Sequence, residues 1–302
     1  MRNSLPTTLL FVIMSTGSLL AQGAKFTGTP DEFVAKLGFK TGAVTLTGGI
    51  ATIRVPEKFR FINEEGSRRL LTEAWGNPPA AVDGVLGMLV PADISPLHEK
   101  SWGVVISFEE EGYVNDEDAA SLDYTKILTQ VREGTAANNE ERKKQGFVTI
   151  DLIGWAEPPP YDKAAHKLYW ARELAFGDSA DHTLNYNIRI LGRRGVLVLN
   201  AVSGMDQLPI IRAEARHVLA AVDFNEGHRY TDYLPGEKTA AYGLTGLIVG
   251  AVAAKAGFFK VLLLGILAFK KFLIVGVAAA LGIIKKLFGK KETTSTAPPS
   301  IG

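Results

Sequence analysis

Apolar and polar residues alternate along much of the chain between residues 24 and 241. A period of two residues is typical of β-strands that bury one face. The alternation is clearest at residues 168–176 and 184–190. A turn at residues 192–195 then leads into an almost unbroken apolar run at 196–202. Short turns between consecutive strands favour antiparallel pairing. Shorter strands are predicted at residues 44–46, 51–55, 85–90 and 102–108.

Other stretches carry apolar residues at the spacing of a helix face. They predict helices at residues 67–75, 116–145 and 211–222, with a break or kink at Gly134. Strands interspersed with helices predict a single α+β domain over residues 24–241, in which helices pack on an antiparallel sheet.

One side of the strand predicted at residues 184–190 is polar, because Thr183, Asn185, Asn187 and Arg189 alternate with apolar residues. Antiparallel sheets can keep one face in water, so we predict that this side is solvated. A binding face is the alternative interpretation.

The N-terminal residues have the layout of a secretory signal. Arg2 precedes an apolar run centred on residues 9–14, and small residues follow at 21–24. The run is too short to span a bilayer comfortably. We therefore predict that residues 1–23 are a signal peptide, with an uncleaved anchor or a frayed tail as alternatives.

The C-terminal region is apolar and cationic. All eight charges in residues 242–291 are lysines, and the apolar stretch exceeds the ~20 residues that one helical span needs. We predict that the α+β domain is followed by a C-terminal membrane helix or helices. Three arrangements stay open: one span over residues 261–284, a hairpin turning at Lys270 and Lys271, and a helix in the interface. One span is preferred.

Small residues recur every four positions at the start of this segment, at Gly246, Gly250 and Ala254. Such spacing lets two helices approach closely in lipid and predicts membrane-helix packing. A flexible connector between the body and the anchor is an equally good interpretation.

A lysine cluster near the end of the segment sets the predicted orientation. By the positive-inside rule, these lysines lie at the cytoplasmic interface of the membrane. The body then lies on the extracytoplasmic side of a bacterial cytoplasmic (inner) membrane, and residues 292–302 form a tail without a fold. The cluster consists of Lys285, Lys286, Lys290 and Lys291.

Charge separates the body from this segment. The chain has a net charge of +1, but residues 25–241 hold 31 acidic and 24 basic residues and carry −7. An acidic body argues against nucleic acid as a partner, whereas the cationic segment suits a lipid bilayer with anionic headgroups. A protein partner or a second copy of the chain is also possible. Cysteine is absent, which excludes disulfides, thiolate metal sites and cysteine nucleophiles.

Candidate chemistry is sparse. Six acids lie within residues 109–118, but their spacing does not match a calcium loop, and helix capping by Asn115 or Asp116 is preferred. Asp162 and His166 could share a helix face, yet no nucleophile accompanies them. Serine-hydrolase, P-loop and dinucleotide motifs are absent, so no catalytic residue, metal ligand or cofactor is predicted. The four tryptophans are assigned to the core.

Several short runs follow one another along the body in a recognisable order. They are residues 111–114 with 116–119, 154–156 before 160–162, 166–171, 184–186, 191–193, 227–230, 235–238 and 241–244. Together they resemble a family of uncharacterised bacterial membrane-anchored proteins that is named only as a domain of unknown function. The resemblance implies a secreted, membrane-tethered domain and carries no activity.

These observations favour a membrane-anchored cell-envelope protein whose body binds a protein or an envelope component outside the cytoplasmic membrane. One alternative is an envelope hydrolase that uses Asp162 or the acids at 109–111 together with His166. The other is an oligomeric membrane assembly through the glycine-spaced segment. The binding role is preferred because it requires nothing beyond the features of the sequence.

Overall fold

In a computed structural model, the alternating residues between 167 and 204 form three long neighbouring strands. The structure describes residues 26–250 except 27, 78, 99 and 145–147. The strands are β1 (Gly42–Thr45), β2 (Ala51–Val55), β3 (Phe59–Asn63), β4 (Val85–Pro91), β5 (Val104–Glu109), β6 (Ile150–Glu157), β7 (Tyr161–Asp162), β8 (Lys167–Phe176), β9 (Thr183–Leu191), β10 (Val196–Gly204) and β11 (Val222–Phe224). The α-helices are α1 (Pro30–Ala35), α2 (Glu64–Arg69), α3 (Tyr124–Lys144), α4 (Leu208–Ala221) and α5 (Leu244–Val249).

Two antiparallel sheets form the framework of the described residues. The larger has eight strands in the order β3-β4-β5-β10-β9-β8-β6, with the short β7 pairing with β8. The smaller has the order β1-β2-β11. A 3-10 turn at Thr47–Gly49 joins β1 to β2, which pair antiparallel. The predicted α+β fold with an antiparallel sheet is therefore confirmed.

The large sheet is covered on both faces. On one face, inward residues such as Ile188 and Leu199 pack with Val218 of α4 and with Ile53 of the small sheet. On the other face, α2 covers the β3–β5 end, and α3 and α5 cover the β6–β10 end. Burial on both faces explains why β10 is apolar at nearly every position.

Helix α3 closes the β6 edge of the large sheet. The side-chain amide of Asn139 donates to the carbonyl of Ile150 at 2.8 Å and accepts its backbone N–H at 2.8 Å. Arg132 donates to the carbonyl of Leu152 at 3.1 Å and also to the carbonyl of Ile153. Side chains of a helix thus occupy the backbone groups that a further strand would use.

Three local predictions need correction. Helix α3 runs unbroken through Gly134, because one glycine costs only about 1 kcal/mol and Ile127 and Val131 hold the helix against its neighbours. Helix α2 begins at Glu64 rather than residue 67, since Asn63 caps it through the N–H of Gly66. Four strands were not predicted: β3, β6, β7 and β11. Two register shifts in β6 interrupt its alternation and hide it from a two-residue period.

The described residues contain no helix that is both long and apolar enough to cross a bilayer. The predicted signal peptide at 1–23, the predicted span at 261–284 and the tail at 292–302 lie outside the described residues.

Candidate functional site

The polar side of β9 is buried, which corrects the prediction that it faces water. Asn185, Asn187 and Arg189 expose only 2%, 5% and 4% of their surface. Their cross-strand neighbours Trp170 and Val198 belong to the apolar cluster beneath α3 and α5. The face looks solvated in the sequence because the helices that flank it lie far away along the chain.

Hydrogen bonds orient these buried polar groups. The Nδ2 of Asn187 donates to the Oδ1 of Asn185 at 2.8 Å, which commits that oxygen as an acceptor and leaves the Nδ2 of Asn185 as a donor. The Nη1 of Arg189 donates to the Oδ1 of Asn200 at 3.1 Å and to the carbonyl of Ile188 at 3.0 Å.

Two arginines share one indole ring on this face. Arg172 of β8 lies directly opposite Asn185 of β9, so both side chains emerge on the same side. The guanidinium carbons of Arg172 and Arg189 lie 5.7 and 5.1 Å from the centre of the Trp170 ring. Burial, together with the nearby charge of Arg189, lowers the pKa of Arg172 to about 10. Burial also lowers the pKa of Arg189, against the opposing effect of Glu109. We call Arg172 and Arg189 the arginine pair.

Four stacked rings form a second cluster at the end of the same sheet face. Tyr233 stacks on Tyr113 with ring centres 4.0 Å apart, Tyr113 on Tyr230 at 4.4 Å, and Tyr230 on His166 at 4.0 Å. The hydroxyl of Tyr230 donates to the carbonyl of Val114 at 3.0 Å. We call these four rings the aromatic stack. It joins three segments that are far apart in sequence.

A carboxylate lies beside the histidine of the aromatic stack. The hydroxyl of Tyr161 donates to the Oδ2 of Asp116 at 2.6 Å and lies 3.2 Å from the Nδ1 of His166. The same Nδ1 is 3.5 Å from the Oδ2 of Asp116. Burial raises the pKa of Asp116, but the hydrogen bond from Tyr161 and the nearby His166 outweigh burial and leave the pKa below its ordinary value. Burial and Asp116 raise the pKa of Tyr161.

The predicted pairing of Asp162 with His166 is not formed, because the segment is a β-hairpin and not a helix. Asp162 ends β7, and its Oδ1 accepts the backbone N–H groups of Ala164 and Ala165 at 2.9 and 3.0 Å. His166 has φ +52° in the left-handed region, which is uncommon outside glycine. That conformation directs the ring toward Tyr161 and Tyr230. Backbone strain of this kind is concentrated at functional sites.

Helix α5 is fixed to the body at both ends. The Oδ1 of Asp118 accepts the N–H of Leu244 at 3.0 Å, and its Oδ2 accepts the N–H of Thr245 at 2.9 Å. At the other end, Arg172 donates to the carbonyl of Ile248. Leu244 and Ile248 are completely buried. The packed body therefore continues through α5, past the predicted boundary at residue 241.

The predicted membrane-packing residues are described only in part. Gly246 lies within α5, and Gly250 ends that helix with φ +84°. Their packing role in lipid stays a prediction. Outside the described residues lie Ala254 and the four lysines predicted at the membrane interface, Lys285, Lys286, Lys290 and Lys291.

The acids at 109–118 are dispersed by the fold and do not form one site. Glu109 is buried on β5, Asp116 joins Tyr161, and Asp118 caps α5. Asn115 accepts the N–H of Glu117 at 2.7 Å, in agreement with a capping role. Within the described part of the chain, no three acidic or histidine side chains are arranged to hold a metal ion.

A surface groove of about 600 Å³ lies elsewhere, between β1, β3 and α2. Its lining includes Lys40, Glu65 and Arg68, which carry charges of both signs. It contains no residue of the arginine pair or of the aromatic stack.

Sequence patterns did not identify the tyrosines of the aromatic stack or the arginine pair as site residues. The runs at 111–114, 160–162, 166–171 and 227–230, which carried the family resemblance, supply Tyr113, Tyr161, His166 and Tyr230, which meet in space, but not the arginine pair. Neither composition nor periodicity reveals that these separate runs come together in the fold.

A comparison with known families agrees with the resemblance in one respect, the domain of unknown function. A family model described as "Protein of unknown function (DUF2167)" matches residues 38–281. No curated protein matches the sequence significantly. The solution structure of cyanobacterial PsbP (CyanoP) from Synechocystis sp. PCC 6803 is 12% identical, with a TM-score of 0.35, over 63% of this chain and 94% of that chain. LpqN, involved in cell envelope biogenesis of Mycobacterium tuberculosis, is 13% identical, with a TM-score of 0.29, over 66% and 98%. At these scores neither similarity bears on the function.

Proposed function

This chain belongs to the DUF2167 family of proteins of unknown function, and we propose that it is a membrane-anchored module that binds a component of the cell envelope. The body lies on the extracytoplasmic side of a bacterial cytoplasmic membrane, and the segment that follows α5 holds it there.

The fixed position of α5 is the observation that carries this proposal. Asp118 and Arg172 bind opposite ends of the helix, and its apolar residues are part of the core. The lysine-only, apolar segment begins directly after Gly250 in the sequence. Because α5 packs on the body up to Gly250, the end of the body that carries α5 lies next to the proposed membrane segment in the chain.

That end of the body includes both clusters. Arg172 of the arginine pair contacts α5, and the backbone of Tyr113 in the aromatic stack hydrogen-bonds to that of Lys238 and Ala240 just before it. Stacked aromatic rings and buried polar donors suit recognition of a polar ligand, whereas the described side-chain contacts of His166 are with Asp116, Tyr161 and Tyr230 and include no serine or threonine. Binding is therefore the role that the geometry supports best.

The anchoring half of the proposal is tested by fractionation and protease accessibility of the full-length chain in bacterial cells. We expect the protein in the membrane pellet after alkaline extraction. Protease added to spheroplasts should digest the body and leave a C-terminal tag protected. A protein recovered in the soluble fraction, or a body protected from protease, contradicts the proposal.

The binding half is tested by photocrosslinking at two matched positions. Leu234, beside the aromatic stack, and Ile210, on α4, expose similar fractions of their surface, 56% and 57%. A photoreactive residue at 234 should give a discrete adduct in intact cells, and the same residue at 210 should give none. Equal labelling at both positions, or none at either, counts against a binding surface beside the stack.

A second candidate function, an envelope hydrolase, draws on one observation. Asp116, Tyr161 and His166 lie within reach of one another and could move a proton. Purified protein that hydrolyses peptidoglycan or its fragments, and loses this activity in His166→Gln, would favour the hydrolase over the binding module.

A further inference from the structure

Three hydrogen-bond donors on neighbouring strands lack acceptors within the described part of the chain. They are the Nε of Arg172, the Nε1 of Trp170 and the Nδ2 of Asn185, and each of these atoms is buried. Arg172 is directly opposite Asn185, and Trp170 lies two residues before Arg172 on the same strand face. Buried polar atoms are normally hydrogen-bonded, so three adjacent unpaired donors require an explanation.

The balance of charge around Arg172 and Arg189 indicates what kind of partner these donors lack. Arg172 makes no ion pair with a described carboxylate, and its closest charged neighbour of known effect is Arg189, also positive. A buried like-charged pair is unfavourable unless negative charge accompanies it. Glu109 lies near Arg189 and offsets one of the two charges. One positive charge of the arginine pair is then left without a described counterion.

The remainder of the chain offers little negative charge. Outside the described residues the acidic side chains are Glu99 and Glu292. Residues 251–291, which follow α5 at Arg172, instead contribute eight lysines. This composition favours a counterion supplied by a ligand.

We propose that Arg172, Asn185 and Trp170 form a binding site for the phosphate group of an anionic ligand. A phosphate presents several acceptor oxygens in different directions, which matches three donors that belong to three side chains on two strands. Arginine pairs with phosphate through charge-assisted hydrogen bonds. Arg172 is half-buried as a whole residue although its Nε is buried, so its exposed part is the side from which a phosphate approaches. The site has this donor set whether or not the body is held at a bilayer.

Two sources supply this chemistry, a soluble phosphate and a phospholipid headgroup. Thermal unfolding of the full-length protein distinguishes them. In detergent micelles, inorganic phosphate is compared with chloride at equal ionic strength. In nanodiscs, phosphatidylglycerol is compared with phosphatidylcholine. A ligand that binds only the folded state raises Tm in a saturable way. A rise with inorganic phosphate indicates the soluble source, and a rise with phosphatidylglycerol alone indicates the headgroup. No rise in either comparison overturns the proposal.

Substitutions test whether a rise in Tm arises from binding at this site. Arg172→Gln should weaken binding about 10- to 100-fold, because a hydrogen bond to a charged group is lost. Arg54→Gln removes the same charge from a side chain that is 76% exposed on the small sheet, and it should bind like the wild type. Equal responses from Arg172→Gln and the wild type overturn the proposal.

Asn185→Asp keeps the test valid if Arg172→Gln does not fold. The new carboxylate keeps the acceptor for Asn187 and lies opposite Arg172, where it replaces the ligand as counterion. We expect a ligand-free Tm no lower than that of the wild type and no further rise with phosphate or phosphatidylglycerol. A large fall in Tm means that the charge of Arg172 is already compensated, which overturns the proposal.

Discussion

Asp118 and Leu244 are 126 residues apart, yet the Oδ1 of Asp118 accepts the backbone N–H of Leu244 at 3.0 Å. The other carboxylate oxygen accepts the N–H of Thr245. One side chain thus caps α5 from a distant part of the chain, because Gly243 at the N-cap position has no side chain to do so.

Removal of this cap should loosen the attachment of α5. Asp118→Ala is expected to lower the free energy of unfolding by about 0.5–2 kcal/mol, since two helix N–H groups lose their acceptor. Chemical denaturation of the full-length protein in detergent measures the change. The neighbouring Glu117 is exposed, so Glu117→Ala is the matched control and should stay near the wild-type value. Equal losses in both variants would show that Asp118 contributes nothing specific.

The hydrogen bond between Tyr161 and Asp116 predicts a pH dependence of stability. The folded-state pKa of Asp116 lies below the ordinary 3.8, so the ionised carboxylate is favoured by folding. Its contribution is complete above the unfolded-state pKa and is lost as the pH falls through the lowered folded-state pKa. Asp116→Asn should therefore cost about 0.5–1.5 kcal/mol at pH 7 and progressively less below pH 3.8. Denaturation curves of both proteins at pH 7 and at several pH values below 3.8 test the difference. A constant difference across the range contradicts an ionised Asp116.

Gly134 lowers the stability of α3 although the fold does not require a glycine there. It lies inside the unbroken α3, and a Cβ added there would meet no atom within 4 Å. Gly134→Ala should raise the free energy of unfolding by about 0.5–1 kcal/mol, because alanine loses less backbone entropy in a helix. Gly112→Ala, where φ is +105° and the new Cβ would lie 2.8 Å from the carbonyl oxygen of Lys238, should destabilise instead. A neutral or unfavourable Gly134→Ala would indicate a local break in solution.

The position of Gly246 within α5 allows a specific test of the predicted association through small residues. Gly250 has a left-handed φ, so a leucine there would strain the backbone and confuse the result. Gly246 lies within the helix and is the better probe. If Gly246, Gly250 and Ala254 pack in lipid, Gly246→Leu should abolish a crosslinked oligomer that Ala241→Leu, at an exposed position, leaves intact. Oligomers that survive Gly246→Leu exclude this packing.

The sequence is most informative where a strand alternates, as in β8 and β9, and where a short turn leads into an unbroken apolar run, as in β10. It fails at β6, since two register shifts move apolar residues out of phase. The polar side of β9 was predicted to be solvated for a related reason. The two-residue period of β9 shows which residues share a face, but it does not show that α3 and α5 flank that face. Tyr113, Tyr161 and Tyr230 lie in separate segments, and only tertiary structure brings their side chains together.

The cover that Asn139 and Arg132 place over β6 has a consequence for behaviour at high density. A strand from a neighbouring molecule could join β6 only by displacing an amide that already bonds both backbone groups of Ile150. Proteins confined to a surface meet one another far more often than proteins free in solution. When the edge strand of a sheet is already hydrogen-bonded to a helix of the same molecule, crowding does not readily add strands from neighbouring molecules at that edge.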